Sequence, residues 1–243
     1  MRIKENFPTM LTSGNIMCGF MSIMCVLNQK FEIAAWLIIV AMILDGFDGK
    51  LARLMNTTSK IGAQLDSMAD LVAFGIAPAV LMTNMCGNSP TVISWGFGLF
   101  FMMCAAYRLA RFNTQKEDGI KIPRHFFSGL PTTLSGGTVA QLCILHHFIY
   151  TRFGIDIIMN LLPFIVFALG ILMVSKIPFF DITRKIGKKQ GMKAVILEFS
   201  AAIIYFIITP ELALSSTLTF YLIICGTYGI LKRKHLNGTT QPV

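Results

Sequence analysis

Four carboxylates, Asp45, Asp48, Asp66 and Asp70, stand in a short apolar stretch and make up a third of the twelve acidic residues in this 243-residue chain. Asp45 and Asp48 are three apart, Asp66 and Asp70 four apart, so on helices each pair projects from one face. Two helices joined by a short turn would aim all four at one point. Carboxylates this close to hydrocarbon are costly and normally face a cavity, a partner or an ion. Unpaired, they would repel one another strongly at low dielectric. One or two divalent cations relieve that repulsion, and an all-oxygen set with no His or Cys nearby suits Mg2+ or Mn2+. Gly46 and Gly49 leave room for a ligand to approach the backbone. Lys50 and Arg53 bring the positive charge that a phosphate-handling site needs. The alternative, acids simply paired with Lys50, Arg53 and Lys60 at a membrane surface, does not account for such regular spacing.

The residues run D-x-x-D-G-x-x-A-R, eight residues, then G-x-x-x-D-x-x-x-D, with Asp45, Asp48, Gly49, Ala52, Arg53, Gly62, Asp66 and Asp70 at the fixed positions. This pattern resembles the signature of the CDP-alcohol phosphotransferase family. The resemblance implies an integral membrane enzyme that moves a phosphatidyl-type group from a CDP-linked lipid to an alcohol and releases CMP. Residue by residue, it implies that Asp45, Asp48 and Asp66 hold two metal ions. Asp70 would be the base that takes the alcohol's proton, with a further role at a metal. Gly49, Ala52, Arg53 and Gly62 would line the CDP-lipid pocket, joined by Ser59 and by the polar entry to the first helix, Pro8, Thr12 and Asn15. Thr9 stands where relatives often have Asn.

The acceptor alcohol is a separate question. Tyr107 to Asn113 (YRLARFN) and Phe127 to Pro131 (FSGLP) resemble the phosphatidylserine-forming branch of that family. This implies CDP-diacylglycerol and L-serine as substrates, with Arg108, Arg111 and Asn113 binding the acceptor. Physically, Arg108 and Arg111 share a helix face and suit a carboxylate or a phosphate. Charge alone therefore leaves glycerol 3-phosphate and inositol phosphate open as acceptors. Thr132-Thr133-Leu134 departs from the Pro-containing form common in the serine branch.

Composition agrees with a membrane protein: 54% hydrophobic and 14% charged residues, with mean hydropathy +0.66, against about a quarter charged in soluble domains. One all-α, polytopic membrane domain, 1–243, is expected, with about eight spans. Residues 1–9 read as an interfacial lead-in and 232–243 as a basic tail, with the helical bundle between. The spans are expected near Met10–Leu27, Ile33 to beyond Leu44, Ile61–Met82, Val92–Arg111, Phe127–Ile149, Ile157–Val174, Ala194–Ile208 and Leu212–Leu231. The second is purely apolar for only a dozen residues, too few to cross ~30 Å of hydrocarbon. Its helix must therefore continue through Asp45 and Asp48 toward Arg53, with Met55 to Lys60 as the turn. There is no strand pattern, no cleavable leader is expected, and the six cysteines show no CxxC pair, so neither a disulfide nor a zinc framework is implied. His125, His146 and His147 read as surface histidines, and Pro163 and Gly170 as packing or kink positions.

With eight spans and the N-terminus inside, 19 of the 21 Lys and Arg fall on the inner side. The positive-inside rule then turns the acid site toward the cytoplasm of a cell (inner) membrane protein. The net charge of +9 is explained by orientation and anionic lipid, so a nucleic-acid partner is not needed. A homodimer is a further expectation. A cation transporter is the competing class, since intramembrane acids also mark ion paths. A transporter, however, has no use for Gly49, Ala52, Arg53 and Gly62 at fixed offsets.

Overall fold

The structure is a computed structural model that describes residues 2–55, 60–86, 92–117, 126–175 and 178–180. Helix α1 (Arg2–Leu27) turns tightly into α2 (Phe31–Met55), so residues 2–9, read as a lead-in, are part of the first helix. Gln29 closes α1 with φ of 59°, a backbone region normally left to glycine. The Lys30 N–H reaches back to the Cys25 carbonyl at 2.9 Å, which satisfies an end carbonyl. Across this hairpin the buried Ser22 hydroxyl donates to the Ala34 carbonyl at 2.8 Å. As expected, α2 carries on through the acids and ends at Met55.

The next rod combines α3 (Lys60–Asp70), a π-helical turn (Leu71–Ile76) and α4 (Ala77–Met85). Its origin lies in Pro78, which has no N–H for the carbonyl of Phe74 and whose ring crowds that carbonyl. The turn widens, and the Ala77 N–H bonds to the Val72 carbonyl five residues back. Residues 61–85 of this rod and 92–115 of α5 (Val92–Glu117) are long and apolar enough to cross a membrane, while 12–27 and 158–174 are shorter apolar helices.

Helix α6 (Thr132–Phe153) starts five residues later than the sequence suggested, and α7 (Ile157–Val174) has the expected bounds. Gly129, at φ of +84°, and Pro131 at the N-cap keep residues 127–131 out of the helix. Instead β1 (Phe126–Ser128) pairs antiparallel with β2 (Pro178–Phe180), Phe126 opposite Phe180 and Ser128 opposite Pro178. No strand was expected; three residues are too few to show alternation. The expected spans at 194–208 and 212–231 and the basic tail lie outside the described residues.

The core is built from closely approaching helices. On α7, Leu162, Val166, Leu169 and Met173 form one buried stripe, which meets Phe101 and Ala105 of α5 and Val139 and Ala140 of α6 in the same cluster. Small residues set the spacing. A Cβ on Gly19 of α1 would lie 2.9 Å from the Ala73 Cα, and one on Gly136 of α6 would lie 2.7 Å from the Phe74 carbonyl oxygen. The π-helical turn is thus held between two glycines. Gly170 likewise packs onto the Phe100 ring. Large apolar side chains such as Phe20, Leu27, Leu99, Leu161 and Phe164 point outward, as lipid-facing residues do.

Candidate active site

Helices α2 and α3 bring the acids together. Asp45 near the end of α2 and Asp66 and Asp70 on α3 each place a carboxylate oxygen within 4.8 Å of the others. Asp48 sits just under one turn beyond Asp45 on α2, followed by Gly49, Ala52 and Arg53. The side chains of these four, like that of Pro8, lie outside the described residues, as does Ser59 altogether.

Asp70 is the hinge of the site, the last α-helical residue before the π-helical turn. Its carboxyl is in hydrogen-bonding contact with Asp45 and within electrostatic reach of Asp66 and Arg108. Its Oδ1 is fully enclosed and has no hydrogen-bond partner among the described residues. A divalent ion fits this arrangement. Ligand oxygens around one Mg2+ stand about 3.0 Å apart when adjacent and about 4.2 Å when opposite, from bonds of ~2.1 Å, and three oxygens within 4.8 Å of one another can close onto such an ion. Two touching carboxyls need either a proton or a cation between them, and a buried oxygen without a partner is otherwise expensive.

One wall comes from α1, where Thr12 and Asn15 are buried and Asn15 Oδ1 has no hydrogen-bond partner among the described residues. A Cβ on the intervening Gly14 would contact Leu44 at 3.7 Å, which places this turn of α1 against the residue preceding Asp45. Gly62 is half-buried at the start of α3.

The residues expected around an acceptor take separate places. Arg108 is buried and its Nη1 donates to Thr132 Oγ1 at 2.7 Å. Arg111 donates from Nη1 to the Val174 carbonyl at 2.9 Å, at the C-terminus of α7. Asn113 donates from Nδ2 to Ser67 Oγ at 3.0 Å, and the Ser67 hydroxyl is also 3.1 Å from the Ala63 carbonyl. Arg108 interacts electrostatically with Asp70, while Arg111 and Asn113 tie α5 to α7 and to α3. Ser67 and Thr132 had no expected role. Ser67 occupies a variable slot between Asp66 and Asp70, and Thr132 marks the departure from the serine branch's usual sequence. At the other end of α6, His146 is buried rather than on the surface, with Nε2 3.6 Å from Asp156, and His147 lies 3.2 Å from Glu32.

Fold and site together define the class. Residues 5–174 match the CDP-alcohol phosphatidyltransferase family, and the chain belongs to that metal-dependent, membrane-integral family. Among its relatives, a CDP-diacylglycerol–serine O-phosphatidyltransferase of Helicobacter pylori is 36% identical over 93% of this chain and 90% of its own length. The Bacillus subtilis protein of that name is 34% identical over 71% of this chain and 88% of its own. The one from Methanocaldococcus jannaschii is 31% identical over 94% and 92%.

Proposed function

We propose that this protein transfers the phosphatidyl group of CDP-diacylglycerol to L-serine, forming phosphatidylserine and CMP. The observation that carries the reading is the likeness, over more than nine-tenths of the chain, to relatives that bear this activity's name. The meeting of Asp45, Asp66 and Asp70 beside the buried Arg108 supports it.

In this reading Asp45, Asp66 and Asp70, together with Asp48, hold Mg2+ or Mn2+, two ions in all, whose charge offsets that of the diphosphate. Thr12 and Asn15 of α1, with Pro8, Gly49, Ala52, Arg53, Ser59 and Gly62, form the CDP side. The serine hydroxyl approaches the lipid-bearing phosphorus opposite the CMP. Asp70 accepts its proton as the new O–P bond forms and the P–O bond to CMP breaks. Arg108 receives the serine carboxylate, and Arg111 and Asn113 keep α5 in place for it. The bundle has eight spans, with the acids open to the cytoplasm.

CMP release by the purified protein, with CDP-diacylglycerol and serine, glycerol 3-phosphate or inositol phosphate in turn, tests the reading. Release with serine alone is expected. Release with a phosphate-bearing acceptor instead would transfer the site to that substrate, and no release with any would overturn the transferase.

A further inference from the structure

Arg108 is 9% exposed, and its hydrogen bonding is lopsided. Thr132 takes Nη1, whereas the buried Nε has no partner among the described residues. The guanidinium edge that contains Nε and Nη2 is the one that presents two parallel N–H groups, the geometry a carboxylate accepts bidentately. With Nη1 held on the other side, that edge is oriented. Thr132 is itself buried and is the first residue of the 22-residue α6. Pro131 at the N-cap offers no side-chain hydrogen bond, so the N-cap leaves the first-turn N–H groups uncapped and the positive end of the helix dipole lies beside Arg108. Three features thus favour an anion at one point: the helix start, a buried arginine with a free edge, and a hydroxyl that fixes its angle. Asp70 is within electrostatic reach of the same guanidinium, so an anion seated there brings its attached groups next to the acids.

We propose that the first turn of α6 and Arg108 form the seat for an α-amino acid carboxylate, with Thr132 as the positioning residue that aims the guanidinium. The inference rests on the serine-transferase reading and adds Thr132 and the α6 start to it. Thr132 touches no reacting atom. It acts by keeping the Nε–Nη2 edge turned toward the acceptor, which neither Arg111 nor Asn113, engaged elsewhere, can do.

The test is steady-state CMP release by the full-length enzyme, with L-serine and L-serinamide as acceptors. Serinamide keeps the hydroxyl and lacks the carboxylate. Wild type should prefer serine by at least about a hundredfold in kcat/KM, since leaving a buried charge without its partner is strongly unfavourable. Thr132→Val should raise the serine KM about tenfold, the usual worth of a hydrogen bond to a charged group. The serine KM should rise several times more than serinamide turnover or the KM for CDP-diacylglycerol changes, and Thr132→Ser should restore the serine KM. Equal losses with both acceptors, or none, in Thr132→Val would overturn the inference while the serine reading stands. Should the variants not fold, wild type decides alone: equal use of serine and serinamide overturns the carboxylate seat. Wild type that does not use serine overturns the reading and the inference together.

Discussion

Gly136→Ala should disable the enzyme from a helix that carries none of the acids. The new methyl would lie 2.7 Å from the Phe74 carbonyl oxygen and 2.8 Å from its Cα and Cβ, where ordinary contact begins near 3.4 Å. The obstacle is backbone, so no rotamer change relieves it. Retreat the other way is closed by α1, since Gly19 already brings that helix against the Ala73 backbone. The rod must therefore slide or tilt by roughly the 0.7 Å between 2.7 and 3.4 Å. Overpacking of this kind costs about 1–3 kcal/mol. Phe74 is four residues from Asp70, so the displacement reaches the acids. A misplacement of ~1 Å at a reacting centre costs on the order of 100-fold in rate, and kcat should fall about 30- to 100-fold here. The assay is CMP release at saturating CDP-diacylglycerol and serine, with the thermal midpoint measured in the same detergent. Gly96→Ala is the control: nothing lies within 4 Å of a Cβ there, and helix propensity favours Ala by about 1 kcal/mol. It should be active and slightly more stable. A Gly136→Ala enzyme with kcat within twofold of wild type and an unchanged midpoint would refute the claim that the glycine contacts position Asp70.

Asp66→Asn should abolish turnover and the response to Mg2+ or Mn2+, and excess EDTA should silence wild type; full activity in EDTA would remove the metal from the reading. Gly129→Ala should lower the yield of folded protein sharply, because the residue has φ of +84° and its Cβ would run into the Met173 carbonyl; recovery at wild-type levels would contradict that strain. Arg111→Ala should lower the thermal midpoint by a few degrees, through loss of the bond to Val174, and leave the serine KM within about threefold; the opposite pattern would put Arg111 in the acceptor pocket. In a double-mutant cycle on thermal stability, Ser67→Ala and Asn113→Ala should be non-additive by about 1 kcal/mol, whereas additive losses would mean that their hydrogen bond does not couple α3 to α5.

The acids were legible in the sequence because their spacing is a local property of a helix, and the shortness of the apolar run before Asp45 required α2 to continue past it. The bounds of α7 were legible too, since Asp156 and Ser175 bracket a run that is apolar but for Asn160. The start of α6 was not. Phe126 and Phe127 look like the first residues of a span, and only the left-handed backbone of Gly129 and the pairing with residues 178–180 take them out of it. The different fates of Arg108 and Arg111 were also hidden. Both project from one face of α5, and which meets a hydroxyl and which meets a helix C-terminus depends on where α6 begins and α7 ends. His146 was misplaced for a similar reason: its burial comes from tertiary packing at the end of α6, which the local sequence does not reveal.

The wide turn at Leu71–Ile76 also acts as a phase shifter. Each residue of an α-helix advances the side-chain direction by about 100°. The five-residue bonding of the turn holds one residue more than an α-helix would need there. The azimuth of everything after Asp70 is therefore offset from everything before it, and the rod has two independent faces. Its first half turns Asp66 and Asp70 to the acid cluster, while its second half buries Ala77, Leu81 and Met82. On an unbroken α-helix Asp70, Ala77 and Leu81, spaced seven and four residues apart, would share one face; the extra residue of the wide turn shifts the second half by about 100° from that alignment. Removing one residue between 71 and 76 would bring the halves into phase and rotate the acids about 100° away from Asp45, leaving every carboxylate in the chain and no common point for them.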